Sequence, residues 1–131
     1  MPTIFTKIIE REIPAYIVAE DEQFLAFLDI FPLAEGHTLV IPKKEIDYLF
    51  AVDDDMLSAM IVFAKRVAHA IEKSVSCKRI GVAVIGLEVP HAHIHLIPLQ
   101  HVEDINFSRP KLKLPPEKME TVATRIRSNF V

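Results

Sequence analysis

Three histidines alternate with apolar residues between positions 90 and 98, where the sequence reads PHAHIHLIP. A period of two is typical of a β-strand, whose successive side chains point to opposite faces. We therefore predict a strand from Val89 to Leu99, with His91, His93 and His95 on one face and the apolar residues between them turned to the core. Same-face neighbours on a strand lie roughly 6.5 to 7 Å apart, so the imidazoles are expected to form one polar row over a cleft.

Such a row has three interpretations. It can be an ordinary polar strand face, although strands favour threonine, valine and tyrosine over histidine. It can bind zinc, which needs three or four ligands at about 2.0 to 2.1 Å that converge on one point, so a straight row would need a bend or a further ligand. Finally, one imidazole can be a nucleophile or general base that the others orient. The three residues alone leave these alternatives open.

The composition narrows the class of protein. The chain has 131 residues, of which 50% are hydrophobic, and this suits one globular domain over residues 1–131. Its formal net charge is -3 at pH 7, without the basic surplus that accompanies binding to nucleic acid or anionic membranes. We therefore expect neither nucleic acid nor a membrane as a partner, and any phosphate group must be bound by a local site.

Cys77 is the only cysteine, which excludes an internal disulfide and a cysteine-based zinc site. No apolar run approaches the roughly 20 residues of a membrane span. The start, MPT, has no charged leader that runs into an apolar stretch. The sequence thus predicts a cytoplasmic protein.

The elements upstream of the histidine row are predicted from caps, periodicity and breakers. Thr3 suits the cap of a short first helix that Pro14 stops. Two apolar runs separated by EDEQ indicate a hairpin, and a further strand ends at Pro42. The predicted elements are a helix through Ile4, Phe5, Ile8 and Ile9, strands over 15–19, 24–28 and 37–41, and a loop that starts with Asp29 and contains Pro32 and Gly36.

A long amphipathic helix is predicted after this strand. Asp53, Asp54 and Asp55 stand at its start, where acidic side chains suit the helix dipole, and we interpret them as a helix start rather than a metal site. Its apolar stripe continues to Ile71. The remaining predictions are a strand over 80–85, an irregular segment over 102–114, and a final helix from Glu117 to about Asn129 that Pro115 and Pro116 open.

Taken with its surroundings, the histidine row resembles a known family. The run HAHIHLI at 91–97 fits the His-φ-His-φ-His-φ-φ pattern, φ being apolar, of the histidine triad (HIT) superfamily of nucleotide hydrolases and transferases. The runs TIFTKII at 3–9, EIPA at 12–15, LAFLDI at 25–30 and GHTLVIPK at 36–43 are similar to its adenosine phosphoramidase branch. The resemblance runs from residue 3 to residue 99, and a C-terminal extension follows it.

The resemblance implies an α+β fold, with an antiparallel sheet of about five strands, one long helix packed on it and a C-terminal helix, in a homodimer without a cofactor. It implies that His93 attacks the α-phosphorus of a nucleotide and forms a nucleotidyl-histidine intermediate that water opens. His91 would hold His93 in the right tautomer, in line with His37, and His95 would contact the phosphate. Imidazole suits this chemistry because it is largely neutral at pH 7, and positioned donors can serve phosphoryl transfer without a metal.

The carboxylate of Asp29 directly follows a predicted strand. Such a residue can cap its own loop or accept the hydroxyl groups of a ribose, and the resemblance favours the ribose. The expected nucleoside site consists of Asp29 and an apolar slot for a purine base, with Ile4, Phe5, Ile8, Phe27 and Ile30.

The chain departs from the family pattern just before the triad. Relatives usually carry a Gly-Gln-Ser-like run there, whereas this chain has Gly86, Leu87 and Glu88. An ionised Glu88 about 4 Å from a phosphate would repel it by about 4 kcal/mol at an effective dielectric constant of 20. We expect Glu88 to meet a cationic leaving group or to act protonated as a general acid. Further departures are Glu45, Ile80 and Leu99.

The sequence therefore predicts a metal-independent nucleotide hydrolase or transferase that cleaves purine nucleoside monophosphate conjugates, phosphoramidates such as AMP-amines foremost. Cleavage of dinucleoside polyphosphates is a variant of the same chemistry. Two other classes stay open: a nucleotide-binding or regulatory module whose catalysis Leu87 and Glu88 weaken, and a zinc hydrolase built on the histidine row.

Overall fold

A five-stranded antiparallel sheet separates two layers of the protein in the computed structural model, which describes residues 2–131. Its strands are β1 (Ile17–Glu20), β2 (Phe24–Leu28), β3 (Thr38–Pro42), β4 (Arg79–Ala83) and β5 (Ile94–Leu99), in the spatial order β1-β2-β3-β5-β4. The helices are α1 (Ile4–Ile9), α2 (Asp54–Ser74) and α3 (Pro116–Asn129), with short 3-10 turns over Leu49–Ala51 and Val102–Asp104. The α+β prediction is confirmed.

The two faces of the sheet carry different layers because side chains alternate along each strand. In β2, Phe24 and Leu28 face the main core beneath α2 and α3, whereas Leu25 and Phe27 face a smaller apolar cluster beneath α1. In β5, Ile94 and Leu96 face the main core, so His95 between them lies on the α1 side. The long helices therefore cover one face, and the face with α1 is left for the histidines.

Helix α2 begins where the acidic run predicted a helix start. Asp53 is its N-cap, and its side chain accepts a hydrogen bond of 2.9 Å from the backbone N–H of Met56. Asp54 and Asp55 occupy the first turn, next to the positive end of the dipole. The interpretation as a helix cap is confirmed.

The predicted bounds are wrong for four of the five strands. Strand β3 covers 38–42 instead of 37–41, so it includes Pro42. The histidine strand begins at Ile94 rather than Val89. Pro90 has no N–H to give to a ladder, and the N–H of Ala92 is bonded to the carbonyl of Ile46 in a loop, 2.7 Å away. Strand β4 covers 79–83 instead of 80–85, and β1 covers 17–20 instead of 15–19, with an irregular register between Ile17 and Ala19.

The segment 102–114, predicted to be irregular, is fixed to the sheet at several points; we refer to it as the C-terminal segment. Its 3-10 turn is held by Asp104, which accepts from the N–H groups of Gln100 and His101. Ile105 packs so closely over Gly81 that a Cβ there would lie 2.5 Å from its δ-methyl group. The N–H of Leu112 donates to the carbonyl of Pro32, 2.9 Å away. The segment is thus carried back across the histidine face of the sheet.

Within residues 2–131, no helix is both long enough and apolar enough to cross a membrane.

Gly36 and Gly86 allow a test of the turn that places His37. Both have positive φ, 94° and 73°, where an alanine costs about 1 to 2 kcal/mol. A Cβ at Gly36 would also lie 3.1 Å from Val75 and 3.3 Å from Pro98, whereas Gly86 has open space around it. We expect Gly36→Ala to lower the free energy of unfolding in urea more than the matched Gly86→Ala, by about 1 kcal/mol or more. Equal losses would contradict the close packing at Gly36.

Candidate active site

The three histidines lie on the α1 face of the sheet, but only His95 belongs to a regular strand. His91 lies in a bend and His93 in an irregular stretch directly before β5. All three are buried, with relative exposures of 0%, 7% and 8% in chain order, which does not support the alternative of an ordinary exposed polar strand face. The ring of Phe5, from α1, contacts the rings of His91 and His93 at centroid distances of 5.7 and 5.1 Å. The histidines are therefore packed into the layer that α1 forms.

The tautomer of His93 follows from one hydrogen bond. Its Nδ1 lies 2.7 Å from the backbone carbonyl oxygen of His91. Because a carbonyl can only accept, Nδ1 carries the proton and donates it. A neutral His93 therefore has its lone pair on Nε2.

The side chain of His91 is held at both ring nitrogens. Nε2 lies 2.8 Å from the carbonyl oxygen of Pro42, so Nε2 carries the proton. Nδ1 must then accept, and it does so from the hydroxyl of Thr3, 2.9 Å away. The expectation that His91 holds His93 in its tautomer agrees with this geometry, although it is the backbone carbonyl of His91 that does so. The His91 ring points to Thr3 and Pro42.

His37 is paired with His95 and not with His91, contrary to prediction. The N–H of Leu33 donates to Nδ1 of His37 at 3.0 Å, which places the His37 proton on Nε2. This Nε2–H then donates to Nδ1 of His95, 3.0 Å away. A neutral His95 consequently carries its own proton on Nε2.

Burial lowers the pKa of three of these rings, His37, His95 and His91, and so opposes their protonation. Desolvation, followed by the neighbouring charge of His95, lowers the pKa of His37 to about 3. Desolvation, followed by the charge of His93, lowers the pKa of His95 to about 4. Desolvation also lowers the pKa of His91. The 3.7 Å approach of His37 Nε2 to Asp29 Oδ2 is therefore not an ion pair near neutral pH.

The ε2 nitrogens of His93 and His95 offer complementary groups to a ligand. Neither has a hydrogen-bond partner among residues 2–131, and within those residues no fully enclosed side-chain nitrogen or oxygen lacks one. Both atoms therefore reach solvent. With ring centroids 5.0 Å apart, the pair presents one lone pair and one N–H donor side by side. This combination suits attack on an electrophile whose oxygen needs a hydrogen-bond donor.

Asp29 lies directly after β2, as predicted, next to the histidine pair. Its Oδ1 accepts from the N–H of Phe31 at 2.9 Å, and its side chain keeps an exposure of 21%. Burial is the largest cause that raises the pKa of Asp29, and the bond from Phe31 opposes it. The carboxylate thus both caps its loop and retains lone pairs for hydroxyl groups of a ligand.

The predicted apolar slot is only partly assembled. Phe5, Ile8 and Phe27 belong to the apolar cluster beneath α1, and the rings of Phe5 and Phe27 lie 5.4 Å apart. Ile4 and Ile30 are exposed, by 53% and 58%. The buried three can form the floor of a base site, whereas the exposed two lie at its surface.

Glu88 and Leu87 do not form contacts that would define a site. Leu87 is 88% exposed, and the Glu88 side chain is exposed as well. The negative charge of Glu88 still acts on Asp29, as a minor cause that raises its pKa. Because water screens an exposed charge, Glu88 repels a phosphate by less than the about 4 kcal/mol expected for a separation of about 4 Å.

Two residues of the C-terminal segment reach the site and escaped the sequence-based prediction. The ring of Phe107 packs edge-on against His95, with centroids 4.8 Å apart, and lies 6.3 Å from His37. Lys111 lies beside Phe107, and its charge acts on Asp29 and His37. The available signal was the single aromatic residue of the segment 102–114, next to several charged residues.

A metal-capable group exists, but it is not the predicted row. Among residues 2–131, Asp29, His37 and His95 bring one ligand atom each to within 4.8 Å of one another. Two of these nitrogens already share a hydrogen bond. The zinc interpretation of the histidine row as a set of three ligands is not supported, because both ring nitrogens of His91 are bound by Thr3 and Pro42.

The comparisons with known proteins decide the family. The family model described as "HIT domain" matches residues 10–102. The chain belongs to the HIT family. An uncharacterised HIT-like protein of Borreliella burgdorferi is 38% identical and covers 97% of both chains. A protein of Schizosaccharomyces pombe named adenosine 5'-monophosphoramidase is 31% identical over 99% of both chains.

The fold agrees with solved HIT structures. The crystal structure of a Hit-like protein from Bartonella henselae matches with a TM-score of 0.84 and 35% identity, and it covers 98% of this chain and 96% of that one. Membership in the HIT family and the relative named as a phosphoramidase together support a nucleotide hydrolase as the general class.

The lowered pKa values of this HIT protein predict how its histidines titrate. His37 and His95 should stay neutral at pH 5 in the folded protein, which nitrogen NMR of the imidazole rings would show as single, fixed tautomers. Unfolded histidine has a pKa of about 6.5 and takes up protons first on acidification. Their contribution to stability is therefore complete above pH 6.5 and is lost as the pH falls to about 4 for His95 and to about 3 for His37.

The same titration in urea is the control, because both rings should then titrate near pH 6.5. A ring that titrates near 6.5 in the folded protein would contradict the assigned burial.

Proposed function

We propose that the protein hydrolyses nucleoside monophosphate conjugates, phosphoramidates of purine nucleotides foremost, through a covalent intermediate on His93. The observation that carries the proposal is the 2.7 Å bond from His93 Nδ1 to the carbonyl of His91, which leaves a solvent-accessible lone pair on Nε2. Neutral imidazole is a competent nucleophile near neutral pH and a good leaving group in the following step.

The reaction proceeds in two displacements. His93 Nε2 attacks the α-phosphorus, an N–P bond forms, the P–N bond to the amine breaks, and the amine leaves with a proton taken from water. Water then attacks the same phosphorus, the His93–phosphorus bond breaks, and nucleoside monophosphate and a neutral His93 are released. His95 Nε2–H donates to a phosphoryl oxygen in both steps, and His37 holds His95 in the tautomer that can donate.

The nucleoside half is placed by the neighbouring side chains. Asp29 accepts the ribose hydroxyl groups with its partly exposed carboxylate. The base lies against Phe5, Ile8 and Phe27, with Ile4 and Ile30 at the rim. Since phosphoryl transfer depends chiefly on position and on charge stabilisation, these contacts hold the phosphorus in front of His93.

The relative from S. pombe supports an amine as the leaving group, because that protein is named adenosine 5'-monophosphoramidase. Dinucleoside polyphosphates would use the same nucleophile with a phosphate leaving group. The negative charge of Glu88 reaches Asp29 only as a minor, screened effect, and its sign is more compatible with a positively charged leaving group than with further phosphates.

Replacement of the nucleophile tests the proposal. We expect His93→Ala to lower kcat for adenosine 5'-phosphoramidate by at least about a thousandfold, because the covalent route is lost. Mass spectrometry after a brief acid quench should find a nucleotidyl adduct on the wild type and none on His93→Ala.

The matched control is His69→Ala, on the exposed side of α2, which should react like the wild type. A chelator should leave the wild-type rate unchanged, as a metal-independent reaction requires. An inactive wild type that binds AMP without forming an adduct would identify a nucleotide-binding module, and loss of activity with the chelator would favour a metal hydrolase.

We also propose that the protein is a homodimer joined across the β4 edge and α2. Strand β4 pairs with β5 on one side only and lies at an edge of the sheet. Val82, Val84 and Ile85 on or next to it, and Ile61 and Val62 on α2, are exposed. Edge strands with apolar side chains are suited to pairing with a second copy.

Sedimentation should therefore give a dimer for the wild type, and Val82→Asp should shift it towards the monomer. Val131→Asp changes an equally apolar but terminal exposed residue and should remain dimeric. A monomeric wild type would contradict the proposed interface.

A further inference from the structure

Four polar side chains link α1 to the loop that carries His91. The Thr6 hydroxyl donates to Glu45 Oε1, 2.5 Å away, and the Thr3 N–H lies 3.2 Å from the same oxygen. The Thr3 hydroxyl lies 2.9 Å from Nδ1 of His91. Glu45 was a departure from the family pattern in the sequence, and the structure places it at the outer end of this chain of contacts.

Each group in the chain has one role that fits. The Thr3 hydroxyl oxygen accepts from the N–H of Thr6 at 3.1 Å and so caps α1. Its single proton is then free for His91 Nδ1, which must accept because the His91 proton is on Nε2 and bonded to Pro42. Thr3 and His91 are both buried, so the loss of this donor would leave an enclosed nitrogen without a partner.

The chain of contacts ends at the nucleophile. The carbonyl of His91 holds His93 Nδ1, so a change in the position of residue 91 changes the aim of Nε2 on His93. Phe5, between Thr3 and Thr6 in α1, also touches the rings of both histidines. The same short helix therefore provides the floor of the base slot and two contacts to the catalytic loop.

We propose that Thr3 is a positioning residue that transmits contact with the nucleobase to His93. The inference rests on the proposed function. A base seated against Phe5 and Ile8 fixes α1, Thr3 fixes His91, and the carbonyl of His91 fixes the nucleophile. Contact with the base then raises kcat as well as the affinity for the substrate, because interactions that align the reacting atoms lower the barrier. Thr6 and Glu45, which are less buried, support Thr3 from outside.

The kinetic test compares adenosine 5'-phosphoramidate with ribose 5'-phosphoramidate, which has no base. In the wild type the base should raise kcat. Thr3→Val keeps the shape of the side chain and removes the hydroxyl. In this variant kcat for the adenosine substrate should fall about tenfold, and KM should change much less. The ratio of kcat with the base to kcat without it should fall by about the same factor.

Two matched variants test whether the loss belongs to the Thr3 hydroxyl or to the outer contact with Glu45. Thr3→Ser keeps the hydroxyl and should restore the wild-type kcat and the advantage of the base. Thr6→Val removes the bond to Glu45 but leaves the Thr3 hydroxyl on His91, so it should cost clearly less than Thr3→Val. A wild-type kcat in Thr3→Val, or an equal loss in Thr6→Val, would overturn the proposal.

Nitrogen NMR of the imidazole rings provides a readout that needs no turnover. Thr3→Val should shift the Nδ1 signal of His91 to that of an acceptor without a donor and should speed solvent exchange of the His93 Nδ1 proton, whereas Thr3→Ser should leave both unchanged. Unchanged signals in Thr3→Val would overturn the link even in an active enzyme. If the wild type does not hydrolyse the substrate but Thr3→Val still shifts these signals, the proposed function is refuted and the link from Thr3 to His93 remains.

Discussion

Each of the four site histidines is buried and has a hydrogen bond that assigns its ring nitrogens, and this constraint determines what the site can offer. A neutral imidazole has one donor and one acceptor, so a partner that can only accept or only donate fixes both nitrogens. The carbonyl groups of His91 and Pro42 and the N–H of Leu33 are such partners. They leave a neutral His93 with a free lone pair and His95 with a free donor. Burial lowers the pKa of His37, His91 and His95 and so opposes their protonation.

The architecture of the sheet explains why these rings meet. Helices α2 and α3 cover one face with the main core, and α1 covers the other with a small apolar cluster. Residues that would be solvent-exposed in a one-layer sheet are therefore enclosed between β3, β5, α1 and the C-terminal segment. Phe107 closes the side next to His95, and the Ile105 contact over Gly81 brings it there. The desolvation that keeps the rings neutral comes from these two small coverings.

Local patterns were sufficient to predict the parts of the structure that depend on neighbours in sequence. The cap of α2 at Asp53, the apolar alternation of β2 and the position of Asp29 after it all follow from a few adjacent residues. The alternation at 91–95 correctly separated histidines from core residues, but it could not reveal that Ala92 bonds to Ile46 and that β5 therefore starts at Ile94.

The partners of the histidines depend on contacts far apart in sequence. His37 was expected to align with His91, yet the register of β3 and β5 places it against His95. The link from Thr3 to His91 joins residues 88 positions apart, and the return of Phe107 over His95 depends on how the C-terminal segment crosses Gly81. No pattern within a short window contains that information.

The most direct measurement is a crystal structure with a bound purine nucleoside monophosphate. We predict that the phosphorus lies about 3.5 Å or less from Nε2 of His93. His95 Nε2 should donate to a phosphoryl oxygen, and Asp29 should accept from the ribose hydroxyl groups. A phosphorus atom that faces another ring, or a His93 whose Nε2 donates rather than faces the phosphorus, would contradict it.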